Sequence, residues 1–143
     1  MSWEAYLVAA TIAGPILAVQ AQKYLERHQD KKRAKDQIFR TLMATRATRL
    51  SIEHVQALNG IELAFYGSDK KDKRVSDAWK EYHDHLNTPP AKYDRDPDKW
   101  GDKQTELFIA LLHEMALSLG YDFDKTHIKN NWYSPEGHVT VEK

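Results

Sequence analysis

Eighteen consecutive residues near the amino terminus, Ala5 to Gln22, read AYLVAATIAGPILAVQAQ and hold no ionisable group except the Tyr6 phenol. A helix rises 1.5 Å per residue, so this run gives about 27 Å of length against a hydrocarbon core of roughly 30 Å. It is just long enough to span. Ala, Thr, Gly and two Gln dilute the Leu, Ile and Val, and Pro15 removes one backbone donor. Neighbouring groups resatisfy such breaks inside a bilayer. Trp3 and Tyr6 on one side, and Tyr24 on the other, stand where interfacial aromatic belts form.

Two other readings compete. A signal peptide carries its basic region before the apolar stretch, whereas here Glu4 comes first and the basic cluster follows. A buried helix of a soluble core shows a polar stripe, and Thr11, Gln20 and Gln22 make a poor one. Residues 1–22 are therefore expected to form a transmembrane anchor. Lys23, Arg27, Lys31, Lys32, Arg33 and Lys35 crowd the far flank, and no basic side chain precedes the run. By the positive-inside rule this places the amino terminus outside and the rest of the chain in the cytoplasm, as a single-pass protein of the inner (plasma) membrane. The same cations attract anionic lipid headgroups, an attraction that Glu26, Asp30 and Asp36 weaken.

The remainder fits one domain, since 143 residues leave no room for two cores. Its formal charge is zero, yet Lys23 to Arg49 carries nine basic and three acidic residues, and Leu50 to the end twelve and seventeen. A basic segment beside the anchor and an acidic distal part suit a domain facing a bilayer. With no cysteine there is no disulfide, thiolate metal site or cysteine nucleophile. The few Gly and Pro lie mostly between periodic segments, which favours helices joined by short loops.

Residues 23–50 read as a basic juxtamembrane helix, polar almost all round until an apolar stripe starts at Ile38. Residues 51–130 read as a helical bundle. Ser51 caps a helix Ile52 to Tyr66 that carries Val55, Leu58, Ile61, Leu63 and Phe65 and stops at Gly67. SDKKDKR is expected to be a charged loop, Val75 to Leu86 a short helix, and Ala91 to Asp98 an irregular connection. The strongest helix runs from about Lys99 to Leu119 and ends at Gly120; Asp124 caps a last turn to Lys129, and residues 131–143 are a tail. The fold class is all-α: a transmembrane helix followed by a bundle of four to five helices.

Chemistry-bearing residues are sparse. His54, the pair His83 and Asp84, and Asp122 follow the order of helical phosphohydrolases of the HD type, whose metal ions need imidazole and carboxylate ligands converging on activated water. Such an order arises readily by chance with seven His, and His83 and His85 at a spacing of two point to different helix faces, as surface histidines do. His113 and Glu114 lack the second histidine of a zincin, because position 117 is Leu117. No phosphate-binding glycine loop or nucleophile elbow is present, and no metal or cofactor is implied. The run Lys31 to Lys35 is better explained by the membrane than by nucleic acid. Trp132, Tyr133 and Pro135 form an apolar cluster expected to pack on the core or meet a partner. Ala9, Ala10, Thr11, Ala13 and Gly14 permit close helix approach without a GxxxG.

The stretches HVQALNGIELAFYG, His54 to Gly67, and VSDAWKEYHDHL, Val75 to Leu86, resemble a family of small uncharacterised bacterial and phage proteins that carry a domain of unknown function. Val55, Leu58, Asn59, Phe65, Ala78 and Trp79 are the residues that carry the resemblance. It implies an apolar helix followed by a helical domain, and it implies no activity. The expected function is a membrane-anchored cytoplasmic interaction or scaffold domain, with the bilayer and a protein or second copy as partners. The alternatives are a metal-dependent phosphohydrolase-like domain and a soluble helical oligomer or small-ligand binder.

Overall fold

The computed structural model describes residues 2–67, 69–92 and 96–130, all of whose regular elements are helical. In chain order these are α1 (Trp3–Ala44), α2 (Ile52–Ala64), α3 (Lys70–Leu86), a single 3₁₀ turn (Pro90–Lys92), α4 (Pro97–Leu119) and α5 (Lys125–Asn130). The chain divides into two compact units, Met1–Arg33 and Ala34–Lys143.

The first unit is the leading part of α1, and it buries nothing. Every described side chain in it is exposed, including Leu7, Val8, Ile12, Ile16, Leu17 and Val19. It is long and apolar enough, by length and composition, to cross a membrane. Pro15 lies inside this helix without ending it. Nearby, the Thr11 hydroxyl donates to the Leu7 carbonyl at 2.7 Å.

The second unit is built around α4. Leu107, Phe108, Ile109, Leu111, Leu112, Met115 and Ala116 are buried along it, a broad apolar face that needs several partners. Phe39 and Leu42 of α1, Leu58 and Ile61 of α2, Val75 and Tyr82 of α3 and Ile128 of α5 complete the core with them. Full burial of each such side chain contributes about 1.5–3 kcal/mol.

Local capping explains where the helices begin. Ser51 accepts from the His54 amide at 3.3 Å, as the sequence predicts. The expected SDKKDKR loop is instead largely helical. Asp69 caps α3 by accepting from the Lys71 amide at 2.7 Å, so the helix begins at Lys70 rather than Val75. Asp96 likewise accepts from the Asp98 amide at 3.0 Å, with Pro97 in the first turn of α4. That sets the start of α4 two residues before the expected Lys99. Asp124 caps α5 through the His127 amide at 2.7 Å.

Gly120 ends α4 at φ 84°, and the Tyr121 amide reaches back to the Ala116 carbonyl at 2.8 Å. Beyond its own chain neighbours no atom lies within 4 Å of where a Cβ would sit there, so replacing Gly120 isolates the backbone term. Gly120→Ala should destabilise the protein by about 1 kcal/mol and lower Tm by roughly 4–6 °C, read by thermal denaturation.

Candidate functional site

The polar residues singled out in the sequence do not assemble into one centre. His54 is fully buried on the inner face of α2, 5.3 Å from the Phe108 ring centroid. His83 is exposed on α3, stacked 5.1 Å from Trp79, and Asp84 and Asp122 are exposed. Among the described residues no group of three His, Asp or Glu could hold a metal ion. His85, expected at the surface, is buried instead: its Nε2 donates to the Trp100 carbonyl at 2.9 Å, and the two rings stack at 5.0 Å. Trp100 in turn donates from Nε1 to the Thr88 carbonyl at 2.6 Å, joining the end of α3 to the start of α4.

Lys35 also departs from its expected place among the membrane-flanking cations. Its Nζ lies 2.7 Å from Asp72 Oδ2, with the two side chains only 18 % and 10 % exposed, and 5.6 Å from the Phe65 ring centroid. Ser118 donates to the other Asp72 oxygen at 3.0 Å. One carboxylate at the start of α3 thereby ties α1 to α4. Lys23, Arg27, Lys31, Lys32 and Arg33 lie exposed in the first unit, where Arg33 approaches Asp30 at 4.0 Å. Beside Lys35, Asp36 accepts from Tyr121 Oη at 2.7 Å and from Arg40 Nε at 2.6 Å. Hydrogen bonding and charge from Asp36 push the Arg40 guanidinium above its usual pKa.

A pocket of about 380 Å³ is lined by Arg46, Arg49, Thr105, Phe108, Ile109, Ile128, Lys129 and Asn130. Arg49 stands 4.9 Å over the Phe108 ring and donates to the Thr105 hydroxyl at 3.3 Å. Nothing in the sequence marked these arginines, because they fall in the turn after α1, away from any motif. The expected apolar cluster at Trp132, Tyr133 and Pro135 lies outside the described residues.

The protonation of His54 follows from its partners. Thr45 Oγ1 donates its single proton to the Thr41 carbonyl at 2.7 Å, so at 2.8 Å it accepts from His54 Nδ1. The Nδ1–H tautomer leaves Nε2 as a buried acceptor with no hydrogen-bond partner among the described residues. Burial first, and the Arg49 charge second, hold its pKa down to about 4 from 6.5, against the opposing Thr45 contact. A neutral ring of this kind is a core group, poorly placed to work as an acid.

Comparison with known proteins adds a family and no activity. The model of a family of unknown function, DUF6680, matches residues 1–143, and the chain belongs to that family. No curated protein and no solved structure matches it.

The depressed His54 pKa has a definite sign. Unfolded chain binds the proton below about pH 6.5 while the folded core resists it until about pH 4, so stability is full above 6.5 and falls between these values. The loss is up to about 3 kcal/mol. His54→Gln should flatten that part of the curve, measured as the difference between variant and native unfolding free energies at pH 7 and pH 5.

Proposed function

We propose that the chain is a single-pass protein of the plasma membrane whose second unit acts in the cytoplasm as an interaction domain rather than an enzyme. The observation that carries this reading is the exposed apolar run of α1, none of which is buried among the described residues. Leaving that much apolar side chain in water is unfavourable at about 25 cal/mol per Å². A bilayer removes the cost, and the run holds no charge between Glu4 and Lys23.

Orientation is argued from the flank. Lys23, Arg27, Lys31, Lys32 and Arg33 are exposed on one side of the run only, which favours a cytoplasmic second unit. The interaction role is supported by how the polar groups are used. Asp72 and His85 hold one helix to another, Asp36 and His54 hold a helix to a neighbouring turn, and the described residues bring no carboxylates and imidazoles together around a reactive position.

Fractionation tests the placement. The full-length protein should sediment with membranes, resist extraction by high salt and alkaline carbonate, and dissolve only with detergent. Recovery in the carbonate supernatant would overturn the anchor. In right-side-out vesicles the second unit should be protected from protease, and replacing Lys31, Lys32 and Arg33 with Glu should expose it in part of the population.

A further inference from the structure

Basic and acidic side chains of the leading part of α1 are sorted around the helix. With about 100° between successive positions, Lys23, Arg27 and Lys31 stand nearly in line within about 80° of arc, and Lys32 extends that side to about 180°. No carboxylate falls in this arc. Glu26 and Asp30 lie outside it, on the side of Arg33, and both are engaged there. Glu26 accepts from Gln22 Nε2 at 3.3 Å, and Asp30 approaches Arg33 at 4.0 Å. Lys23, Arg27, Lys31 and Lys32 are exposed, and none of them is in an ion pair among the described residues.

The line of cations begins one residue after the apolar run and leans back toward it. Cα–Cβ bonds of a helix tilt toward its amino terminus, which here is the end that carries the run. Measured along the axis from Gln22, Lys23, Arg27 and Lys31 stand at about 1.5, 7.5 and 13.5 Å. The polar layer of one leaflet is about 5–8 Å deep, and long basic side chains place their heads in it from beyond. Tyr24 shares the arc, 70 % exposed and stacked 6.5 Å from His28, and its amphipathic ring suits headgroup level. The line stops at Lys31, because the next position in the series, Lys35, is held by Asp72.

We infer that Lys23, Arg27 and Lys31 form a binding face for anionic phospholipid headgroups, which draws such lipids from the leaflet to the base of the anchor. The inference rests on the membrane reading and adds to it a class of lipid. The Arg27 guanidinium offers a phosphate two parallel donors, and Lys23 and Lys31 add point charges on either side. Zwitterionic lipid carries the same phosphate, but its own cation offsets the attraction. A net negative headgroup is therefore preferred, by up to about fivefold for each basic side chain that faces it. Nucleic acid suits the face less well, since its first two cations stand at the depth of the headgroups.

Lipid selection is read by reconstituting the full-length protein in phosphatidylcholine bilayers with a trace of spin-labelled phosphatidylglycerol or spin-labelled phosphatidylcholine. The ratio of the immobilised fractions of the two probes reports the preference. It should be about fivefold for the native protein, and fall as salt rises from 0.1 to 1 M and the screening length shrinks from about 10 to 3 Å. Arg27→Gln with Lys31→Gln should bring the ratio within twofold of one. The same change of charge at two exposed positions of α3, Lys73→Gln with Lys80→Gln, should leave it unchanged. All four side chains are exposed, so circular dichroism should match the native protein in both variants.

A native ratio of one in a carbonate-resistant protein would overturn the inference and leave the anchor standing. An equal fall in the α3 variant would overturn it as well, by showing that net charge acts without a defined face. A protein stripped by carbonate that still binds phosphatidylglycerol vesicles through Arg27 and Lys31 would overturn the anchor and leave the cation face standing. If the detergent-solubilised protein retards single-stranded RNA through these two side chains while its lipid ratio is one, the face serves nucleic acid and the inference falls.

Discussion

Burial of the α4 face governs the second unit, because a helix with Phe108, Leu111, Leu112 and Met115 all excluded from water cannot be covered by one neighbour. Its partners must approach from several sides, and the remaining helices do so with short stretches: Phe39 and Leu42 of α1, Leu58 and Ile61 of α2, Val75 and Tyr82 of α3. Each contributes a narrow stripe, which leaves most of its own circumference for solvent or for other work. Within the second unit α2 carries several large apolar residues, Ile52, Val55 and Leu63, on the part left over. Its exposed face is a consequence of supplying a buried stripe from an otherwise apolar sequence.

Polar contacts then decide how those stripes are held in register. Asp72 sits between Lys35 and Ser118 with little exposure, so its carboxylate is desolvated and compensated by one cation and one hydroxyl. Such a pair adds little net stability over an apolar replacement, yet losing either partner strands a buried charge, at a cost of about 3–5 kcal/mol. It acts as a locator, fixing the start of α3 against α1 and the end of α4. The His85 bond to the Trp100 carbonyl does the same at the opposite end of α3. These two locators bracket the helix that packs most extensively on α4.

How much of this was legible in the sequence depends on the distance over which each signal acts. Helix stops and caps are local, so Ser51, Gly120 and Asp124 were readable from single residues, and the apolar periodicity of residues 107 to 119 announced the central helix. The start of α3 was misread because a run of lysines and aspartates looks like solvent-exposed loop. The carboxylate that buries part of it, Asp72, finds its cation thirty-seven positions away at Lys35. The same long-range pairing removed Lys35 from the membrane flank. His54 resembled a ligand only in chain order; its partners Thr45 and Phe108 come from two other segments. In α2 the residues were correctly seen as apolar, but Leu63 was grouped with Ile61, although helical geometry puts the two on nearly opposite sides.

Two apolar surfaces are exposed among the described residues, and their compositions call for different surroundings. The run from Ala5 to Gln22 contains no charge, so hydrocarbon can enclose it completely with its backbone bonded internally. The outer face of α2 has Asn59 at its centre and Glu62 on its rim, and an acidic side chain at the centre of a bilayer costs about 2.5–3.5 kcal/mol. Lipid therefore suits the first surface and not the second. Asn59 needs a partner that both donates and accepts, and Glu62 needs a rim wet enough to keep its hydration. Among the described residues the two exposed apolar surfaces therefore differ in kind: the first holds no charge, and the second carries an amide at its centre and a carboxylate at its edge.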